Sequence, residues 1–151
     1  MRIRIATPTD ADTIVAFNIA MAAETESRRL DRETVARGVD RAMLDSRLGV
    51  YYLAERDGRA VGQLLVTTEL SDWRDGVFWW IQSVYVPPDA RGTGVYRALY
   101  DEVVRRARRS PDVCGLRLYV DRSNTAAQEV YRRLGMSRTS YDLYEVDWSG
   151  G

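Results

Sequence analysis

The residues Arg91-Gly92-Thr93-Gly94 have the types and the spacing of a main-chain anion site. They follow a β-type run that ends at Pro87-Pro88, and an amphipathic helical pattern begins directly after them. Two glycines let the main chain curl so that the free N–H groups of the next helix converge on one anion, and the arginine adds a forked positive charge. The pattern indicates a phosphate cradle, although an ordinary glycine turn before a helix has the same composition.

The residue types that the chain lacks exclude several kinds of chemistry. Neither histidine nor lysine occurs, and all 22 basic residues are arginine. Ser-His-Asp and Cys-His catalysis, His-ligated metal sites, Schiff-base lysines and P-loops are thereby excluded, and we expect no metal. The glycine turn is also no dinucleotide fingerprint, because the third glycine is missing and an antiparallel hairpin precedes the turn.

Composition and charge limit the class of protein. A length of 151 residues, 45% of them hydrophobic, suits one domain with its own core. The formal net charge of zero argues against a nucleic-acid partner. Without an apolar run of about 18 residues or a basic-then-apolar leader, we expect a soluble, cytoplasmic protein with no membrane partner. The single cysteine, Cys114, excludes an internal disulfide and is expected to be a small buried residue.

The spacing of apolar residues predicts the order β-α-α-β-β-β-α-β-α-β, which is a mixed-sheet α/β sandwich. Strands are expected at residues 1–6, 50–55, 60–69, 77–86, 115–120 and 140–146. Helices are expected after Thr7-Pro8, which supplies a cap and a first-turn proline, then from Asp31, after Gly94 and over residues 125–134. Gly135 is the stop signal of the last helix.

Two segments carry a resemblance to a known family. Arg91 and Gly94 fit the pattern Arg/Gln-x-x-Gly-x-Gly/Ala, and residues 121–136 are similar to Asn-x-x-Ala-x-x-x-Tyr-x-x-x-Gly-Phe, with Met136 in place of phenylalanine. The chain resembles the GNAT superfamily of N-acetyltransferases along nearly its whole length. The resemblance implies one N-acetyltransferase domain over residues 1–151. It also implies a GNAT-type fold, whose mixed, mostly antiparallel sheet has six to seven strands with helices on both faces.

The same resemblance implies an acetyl-CoA-dependent enzyme, in which a primary amine of a small molecule or protein attacks the thioester directly. The cofactor is expected in a cleft where the parallel strands at 77–86 and 115–120 splay apart. Its pantetheine arm would follow Val84, Tyr85 and Val86, with a main-chain N–H near Val84 stabilising the oxyanion. The pyrophosphate would rest on the turn and the first helical residues, which are Arg91, Gly92, Thr93, Gly94, Val95 and Tyr96.

Three positions qualify this picture. Tyr96 departs from the family, which has glycine or alanine there; the departure leaves the cofactor pose open, and we expect binding to be retained. Asn124 is expected to orient the cofactor, to cap the following helix, or both. Tyr131 matches the position from which family members protonate the leaving thiolate, and a core tyrosine on one stripe with Val130 and Leu134 is the alternative.

The general base is expected among Glu24, Glu26 and Glu69, because a protonated amine must lose a proton and no histidine is present. Each of these is otherwise a solvated carboxylate. The acids favour a positively charged amine acceptor, whereas the neighbouring Arg28 and Arg29 would favour an acceptor that bears a carboxylate.

Other functions stay open at this point. A non-catalytic acyl-CoA-binding or interaction module on the same fold is the main alternative, and the presence of both Tyr131 and the Arg91-Gly94 turn favours the enzyme. A nucleotide-binding regulator lacks the motifs it would need. The expected partner is a small-molecule or peptide amine. The oligomeric state stays open between a monomer and a homodimer, which is frequent in the family.

Overall fold

The computed structural model describes residues 1–150, which form two compact units. The first unit, Met1–Tyr119, contains the sheet and three α-helices, and the second unit begins at Val120. Within residues 1–150, no helix is both long enough and apolar enough to cross a membrane.

The first unit is built on a mixed sheet with the strand order β1-β2-β3-β4-β5. The strands are β1 Arg2–Ile5, β2 Val50–Arg56, β3 Arg59–Ser71, β4 Gly76–Tyr85 and β5 Val113–Leu118. Strands β1 to β4 are antiparallel to their neighbours, and β5 is parallel to β4. The predicted hairpin between β2 and β3 turns at Asp57 and Gly58, which both have positive φ.

Helices cover both faces of this sheet. They are α1 Ala11–Glu26, α2 Arg32–Leu44 and α3 Val95–Arg109. One buried cluster joins α1 and α2 to β2, and its members are Ile14, Val15, Val39, Tyr51 and Leu53. On the opposite face, Val95 and Leu99 of α3 pack directly against Gly62 of β3.

A side-chain cap marks the start of α2, and a hydrogen-bonded ion pair lies directly before α1. Asp31 accepts a hydrogen bond from the Thr34 N–H at 3.0 Å at the start of α2. Asp10, before α1, accepts from the Thr7 N–H at 2.7 Å and from two nitrogens of Arg4 at 2.8 and 2.9 Å. The Arg4 guanidinium lowers the pKa of Asp10 to about 2. Since Arg4 also binds Glu55 at 2.9 Å, this group ties β1, β2 and the start of α1 together.

The second unit contains α4, Thr125–Arg133, and it corrects the predicted strand number. Residues 136–150 form neither helix nor strand, so the strand expected at 140–146 is wrong and the described residues contain five strands rather than six to seven. The large apolar side chains of this segment are exposed: Tyr141, Leu143, Tyr144, Val146 and Trp148. Alternating apolar residues favour a strand, but a strand also requires a neighbour that pairs with its main chain.

Cys114 is a second correction, because its side chain is exposed and not buried as expected. It lies on β5, the last strand of the sheet, and within residues 1–150 no strand pairs with the outer side of β5. An edge strand buries less of each side chain than a central one, and the sequence alone does not show which strand is at the edge.

Gly62 tests the packing of α3 on β3. A Cβ at position 62 would lie 2.5 Å from Val95 Cγ1 and 3.4 Å from the Tyr85 carbonyl oxygen. We expect Gly62→Ala to lower the free energy of unfolding by about 1–3 kcal/mol, because the helix must shift to make room. At Gly38, inside α2, a Cβ would have no described atom within 4 Å. Gly38→Ala should therefore raise the free energy of unfolding by about 0.5–1 kcal/mol.

Urea unfolding of the two variants beside the wild type measures both effects. A Gly62→Ala protein as stable as the wild type would contradict the close approach of α3 to β3.

Candidate functional site

The register between β3 and β4 changes within the segment that was expected to bind the cofactor. Leu65 pairs with Gln82, while Gln63 pairs with Tyr85, so β4 has one residue more than β3 over this interval. Ser83 lies inside the interval with φ of 50°, in the left-handed region. This is a β-bulge, which releases main-chain groups from the ladder of the sheet.

A gap opens on the other side of the same segment. The parallel pairing of β4 with β5 ends at Ile81 and Leu118, and no described strand pairs with Val84 on that side. β5 itself ends at Leu118, so Val84 lies beyond the last pair of this ladder. The cleft and the cofactor contacts expected here stay predictions.

A chain of buried polar groups reaches the bulge from α1 and β2. Gln63 Nε2 donates to the Ser83 carbonyl oxygen at 3.1 Å and to Asn18 Oδ1 at 2.8 Å. Asn18 Nδ2 in turn donates to the Tyr51 hydroxyl at 3.3 Å, and burial raises the pKa of that hydroxyl. Gln63 is 0% exposed and Asn18 is 8% exposed, so this chain lies within the protein.

The side-chain oxygen of Gln63 is buried and has no hydrogen-bond partner among the described residues. Rotating the amide by half a turn would not help, because the Ser83 carbonyl can only accept a hydrogen bond and requires the NH₂ group. A buried polar atom without a partner costs about 1–3 kcal/mol. The contact with Ser83 is therefore made at a cost in stability.

The predicted cradle lies directly before α3. Gly92 and Gly94 have φ of 73° and 82°, a region that glycine enters without strain. A Cβ at either glycine would meet no described atom within 4 Å, so the backbone conformation, and not crowding, calls for glycine. The first turn of α3 begins at Val95 and presents N–H groups that have no partner within the helix.

Two arginines and one carboxylate surround the cradle. Arg91 Nε donates to the Val86 carbonyl oxygen at 2.8 Å, and Arg91 Nη2 donates to Glu24 Oε2 at 2.6 Å. Arg56, at the end of β2, donates to the Thr93 hydroxyl from both terminal nitrogens at 3.3 Å. The cradle is therefore bordered by two guanidinium groups, whereas the sequence predicted one.

Glu24, one of the expected bases, is held by two donors. Besides Arg91, the Tyr85 hydroxyl donates to Glu24 Oε1 at 2.8 Å. The hydrogen bonds from Arg91 and Tyr85 lower the pKa of Glu24, which makes its carboxylate a weaker proton acceptor. Burial and the neighbouring Glu24 raise the pKa of Tyr85. Glu24 is therefore the counter-charge of Arg91.

Glu69, another expected base, lies on β3, beside the end of β4 that is opposite to Tyr85. Its carboxylate is 2.7 Å from Arg117 Nη1, and the guanidinium of Arg117 lies 3.7 Å from the centre of the Phe78 ring. Glu69 pairs with Phe78 across the sheet, and Phe78 and Tyr85 are separated by roughly 20 Å of strand. Because Glu24 contacts Tyr85, the structure does not bring Glu24 and Glu69 to one reacting centre.

The acidic charge expected at the site is largely offset by arginine. Glu24 binds Arg91 and Glu69 binds Arg117, while Glu26 is exposed as the last residue of α1. A positively charged amine acceptor was expected on the assumption that these acids are unpaired, and the ion pairs weaken that reason. The preference for such an acceptor stays a prediction.

Tyr96 extends along the side of α3. Its ring centre lies 6.3 Å from that of Tyr100, one turn further along the helix. The effect of Tyr96 on cofactor binding stays a prediction.

The second unit holds the remaining predicted residues. Asn124 Oδ1 accepts from the Ala127 N–H at 3.1 Å, so Asn124 caps α4. Tyr131 is half-buried, and its neighbour Val130 is 40% exposed, so the stripe on which Tyr131 lies is not a closed core. The catalytic role of Tyr131 and the cofactor role of Asn124 stay predictions.

Three site residues were not indicated by the sequence: Asn18, Gln63 and Arg56. Arg56 and Thr93 are 37 residues apart, and Gln63 and Ser83 are 20 apart, so no local pattern connects either pair. One signal was available for Gln63, which is the polar residue in the otherwise apolar run Ala60–Val66 of β3. A buried polar residue in such a run is uncommon and indicates a specific partner.

A family model decides the relationship of this chain to known proteins, because the acetyltransferase (GNAT) family model matches residues 16–136. The chain belongs to the GNAT acetyltransferase family. The predicted family and the predicted enzyme class, an N-acetyltransferase, are thereby confirmed, as is the mixed α/β sheet; the number of strands was wrong.

Individual GNAT relatives agree with this assignment. A crystal structure described as a possible acetyltransferase, from Clostridium difficile 630, is 38% identical with a TM-score of 0.91, over 97% of this chain and 96% of that one. Mycothiol acetyltransferase of Thermobispora bispora is 36% identical over 94 residues, which are 62% of this chain and 32% of that protein. This chain thus aligns with about a third of that relative.

A more distant structure, described as a predicted acetyltransferase with acetyl-CoA from Clostridium acetobutylicum, shares the fold. Its TM-score is 0.78 at 16% identity, and the match covers 99% of this chain and 97% of that chain.

The left-handed conformation of Ser83 makes the bulge testable. We expect Ser83→Val to lower the free energy of unfolding by about 1–2 kcal/mol or more, because a β-branched side chain clashes in this conformation. Ser83→Gly should change it by less than about 1 kcal/mol, since relief of strain is offset by the freedom of glycine in the unfolded chain. Ser71→Val is the control, because Ser71 has an ordinary φ of −108°.

Urea unfolding of the three variants gives the comparison. If the variants at positions 83 and 71 tolerate valine equally well, Ser83 is not in the left-handed region.

Proposed function

We propose that the protein is an acetyl-CoA-dependent N-acetyltransferase that moves an acetyl group to a primary amine of a small molecule or protein. The observation that carries this proposal is the bulge in β4 beside a gap in the sheet, followed directly by the glycine cradle of α3. The family match across both units supports a single catalytic domain over residues 1–151. We also propose a cytoplasmic location.

The residues at the cradle fit a diphosphate. Open N–H groups at a helix start and two guanidinium groups are the donors that an anionic ligand requires. The pyrophosphate would be held by Arg91, Gly92, Thr93, Gly94, Val95 and Tyr96, with Arg56 as an additional cation. The main chain of Val84, Tyr85 and Val86 would hold the pantetheine arm as an added strand. When bound, acetyl-CoA supplies a thioester carbonyl that is activated toward an amine.

The chain's own groups would then do three things. The Val84 N–H donates to the carbonyl oxygen of the thioester. Tyr131 donates the proton that the departing sulfur takes up. A carboxylate receives the proton of the incoming amine. The lowered pKa of Glu24 argues against Glu24, and the separation of Glu69 from Tyr85 argues against Glu69, which leaves Glu26 of the three expected bases.

The ion pair at the cradle gives the first test, because its two halves should have opposite effects. Arg91→Gln removes a cation from the pyrophosphate site and should weaken acetyl-CoA binding at least about tenfold, or about 1.4 kcal/mol. Glu24→Gln releases Arg91 from its counter-charge and should strengthen binding. Isothermal titration calorimetry with acetyl-CoA measures both.

Arg47→Gln is the matched control, because it removes the same charge from an exposed pair with Asp45 far along the chain. Unchanged affinity in a folded Arg91→Gln protein, or equal losses for Arg47→Gln and Arg91→Gln, would rule out the proposed pyrophosphate site.

Tyr131 gives the second test. Tyr131→Phe keeps the ring and deletes the hydroxyl, so kcat should fall by roughly 10²-fold while the affinity for acetyl-CoA changes little. Turnover is measured by thiol release with the best acceptor from a screen of amines, polyamines, aminoglycosides, amino acids and peptides. Tyr141→Phe, at a side chain that is 75% exposed in the same unit, is the control.

Near-normal turnover of Tyr131→Phe would show that another group supplies the proton. Binding of acetyl-CoA without thiol release for any amine in the screen would favour a non-catalytic acyl-CoA-binding module.

A further inference from the structure

We propose that Gln63 is a positioning residue for the acetyl-transfer reaction, which fixes the peptide unit between Ser83 and Val84 so that the Val84 N–H points into the gap beside β4. This inference rests on the proposed function. Gln63 itself would touch neither the cofactor nor the amine, and it would act through the main chain of the bulge.

The orientation follows from the geometry of one peptide unit. The Ser83 carbonyl and the Val84 N–H belong to the same plane, and the peptide bonds of residues 1–150 are all trans. In a trans peptide the C=O and N–H groups point in opposite directions. Because the Ser83 oxygen accepts from the side-chain amide of Gln63, the Val84 N–H points away from that amide. The pairing of β4 with β5 has already ended at Ile81, so no described strand on that side pairs with Val84.

This peptide unit needs a partner that holds it. Ser83 has φ of 50°, and a residue other than glycine is disfavoured in that region. A return of Ser83 to ordinary strand geometry would change both its φ and its ψ, and the change in ψ would rotate this peptide and turn the Val84 N–H away from the gap. The hydrogen bond from Gln63 opposes this rotation, and Asn18 in turn fixes the Gln63 amide at 2.8 Å.

The unpaired side-chain oxygen of Gln63 is an independent observation that supports the positioning role of this residue. Methionine or leucine would fill this buried position without an unpaired side-chain oxygen, so packing alone does not explain a glutamine. Either residue would, however, remove the donor to the Ser83 carbonyl and to Asn18 Oδ1. Its NH₂ group is what the site uses, since it serves two acceptors. Donation to the Ser83 carbonyl also polarises the peptide and strengthens the Val84 N–H as a donor.

The experiment compares two buried positions of β3 that receive the same side chain. Gln63→Met removes the donor, and Leu64→Met, at the next residue, is equally buried at 0% exposure but points to the other face of the sheet. Acetyl-CoA with a ¹³C-labelled carbonyl is bound to each protein. The carbonyl stretching frequency is read by isotope-edited infrared spectroscopy, affinity by calorimetry, and kcat and KM by thiol release.

Binding to the wild type should lower the carbonyl frequency, because the Val84 N–H donates to the oxygen. In Gln63→Met most of that shift should be lost and kcat should fall about tenfold or more, while KM and the affinity for acetyl-CoA change little. Leu64→Met should match the wild type in every measurement. Gln63→Leu is a second variant with the same expected result, in case methionine does not fold at this position.

Three outcomes would overturn the inference. If the frequency and kcat of the Gln63 variants equal those of the wild type, Gln63 does not position the donor. If Leu64→Met loses as much as Gln63→Met, the effect is one of packing. If the wild type binds no acetyl-CoA, the proposed function is wrong and the inference falls with it, and that result is distinct from the first two.

Discussion

The break in main-chain pairing at Ser83 is the constraint on which the site depends. A β4 that was fully paired on both sides would offer no main-chain donor to a ligand, since each N–H would already have a partner. β4 has one residue more than β3 over this interval, and the pairing of β4 with β5 ends at Ile81. Together these two features free this short segment of β4. Gly62 then brings Val95, the first residue of α3, close to the Tyr85 carbonyl, so the cradle lies next to the freed segment.

The ion pair at the cradle, between Arg91 and Glu24, lies at the protein surface. Arg91 and Glu24 form a pair whose side chains are 51% and 37% exposed. Exposed pairs contribute only about 0–1 kcal/mol, so under the proposed function a diphosphate would displace Glu24 at little cost. Glu24 and the Val86 carbonyl together hold the guanidinium of Arg91 in place.

The parts of the site that were predictable are those encoded within a few residues. Glycine at positions 92 and 94 has a local meaning, because it permits a turn that other residues resist, and Asn124 caps α4 for an equally local reason. The hydrogen bond from Gln63 to the Ser83 carbonyl joins β3 and β4. The sequence does not predict this contact, because it does not give the register of the two strands. The strand expected at 140–146 failed for the same reason, since alternation of side chains does not specify a pairing partner.

The contact between Gln63 and Ser83 carries two costs in stability. The unpaired oxygen of Gln63 costs about 1–3 kcal/mol and the left-handed Ser83 about 1–2 kcal/mol. Against a typical stability of about 5–15 kcal/mol, this is a large loss at one short segment. The apolar packing of both sheet faces, around Leu53 on one and Leu99 on the other, allows the fold to tolerate it. A packed core is therefore what permits a strained, incompletely bonded segment to persist in β4.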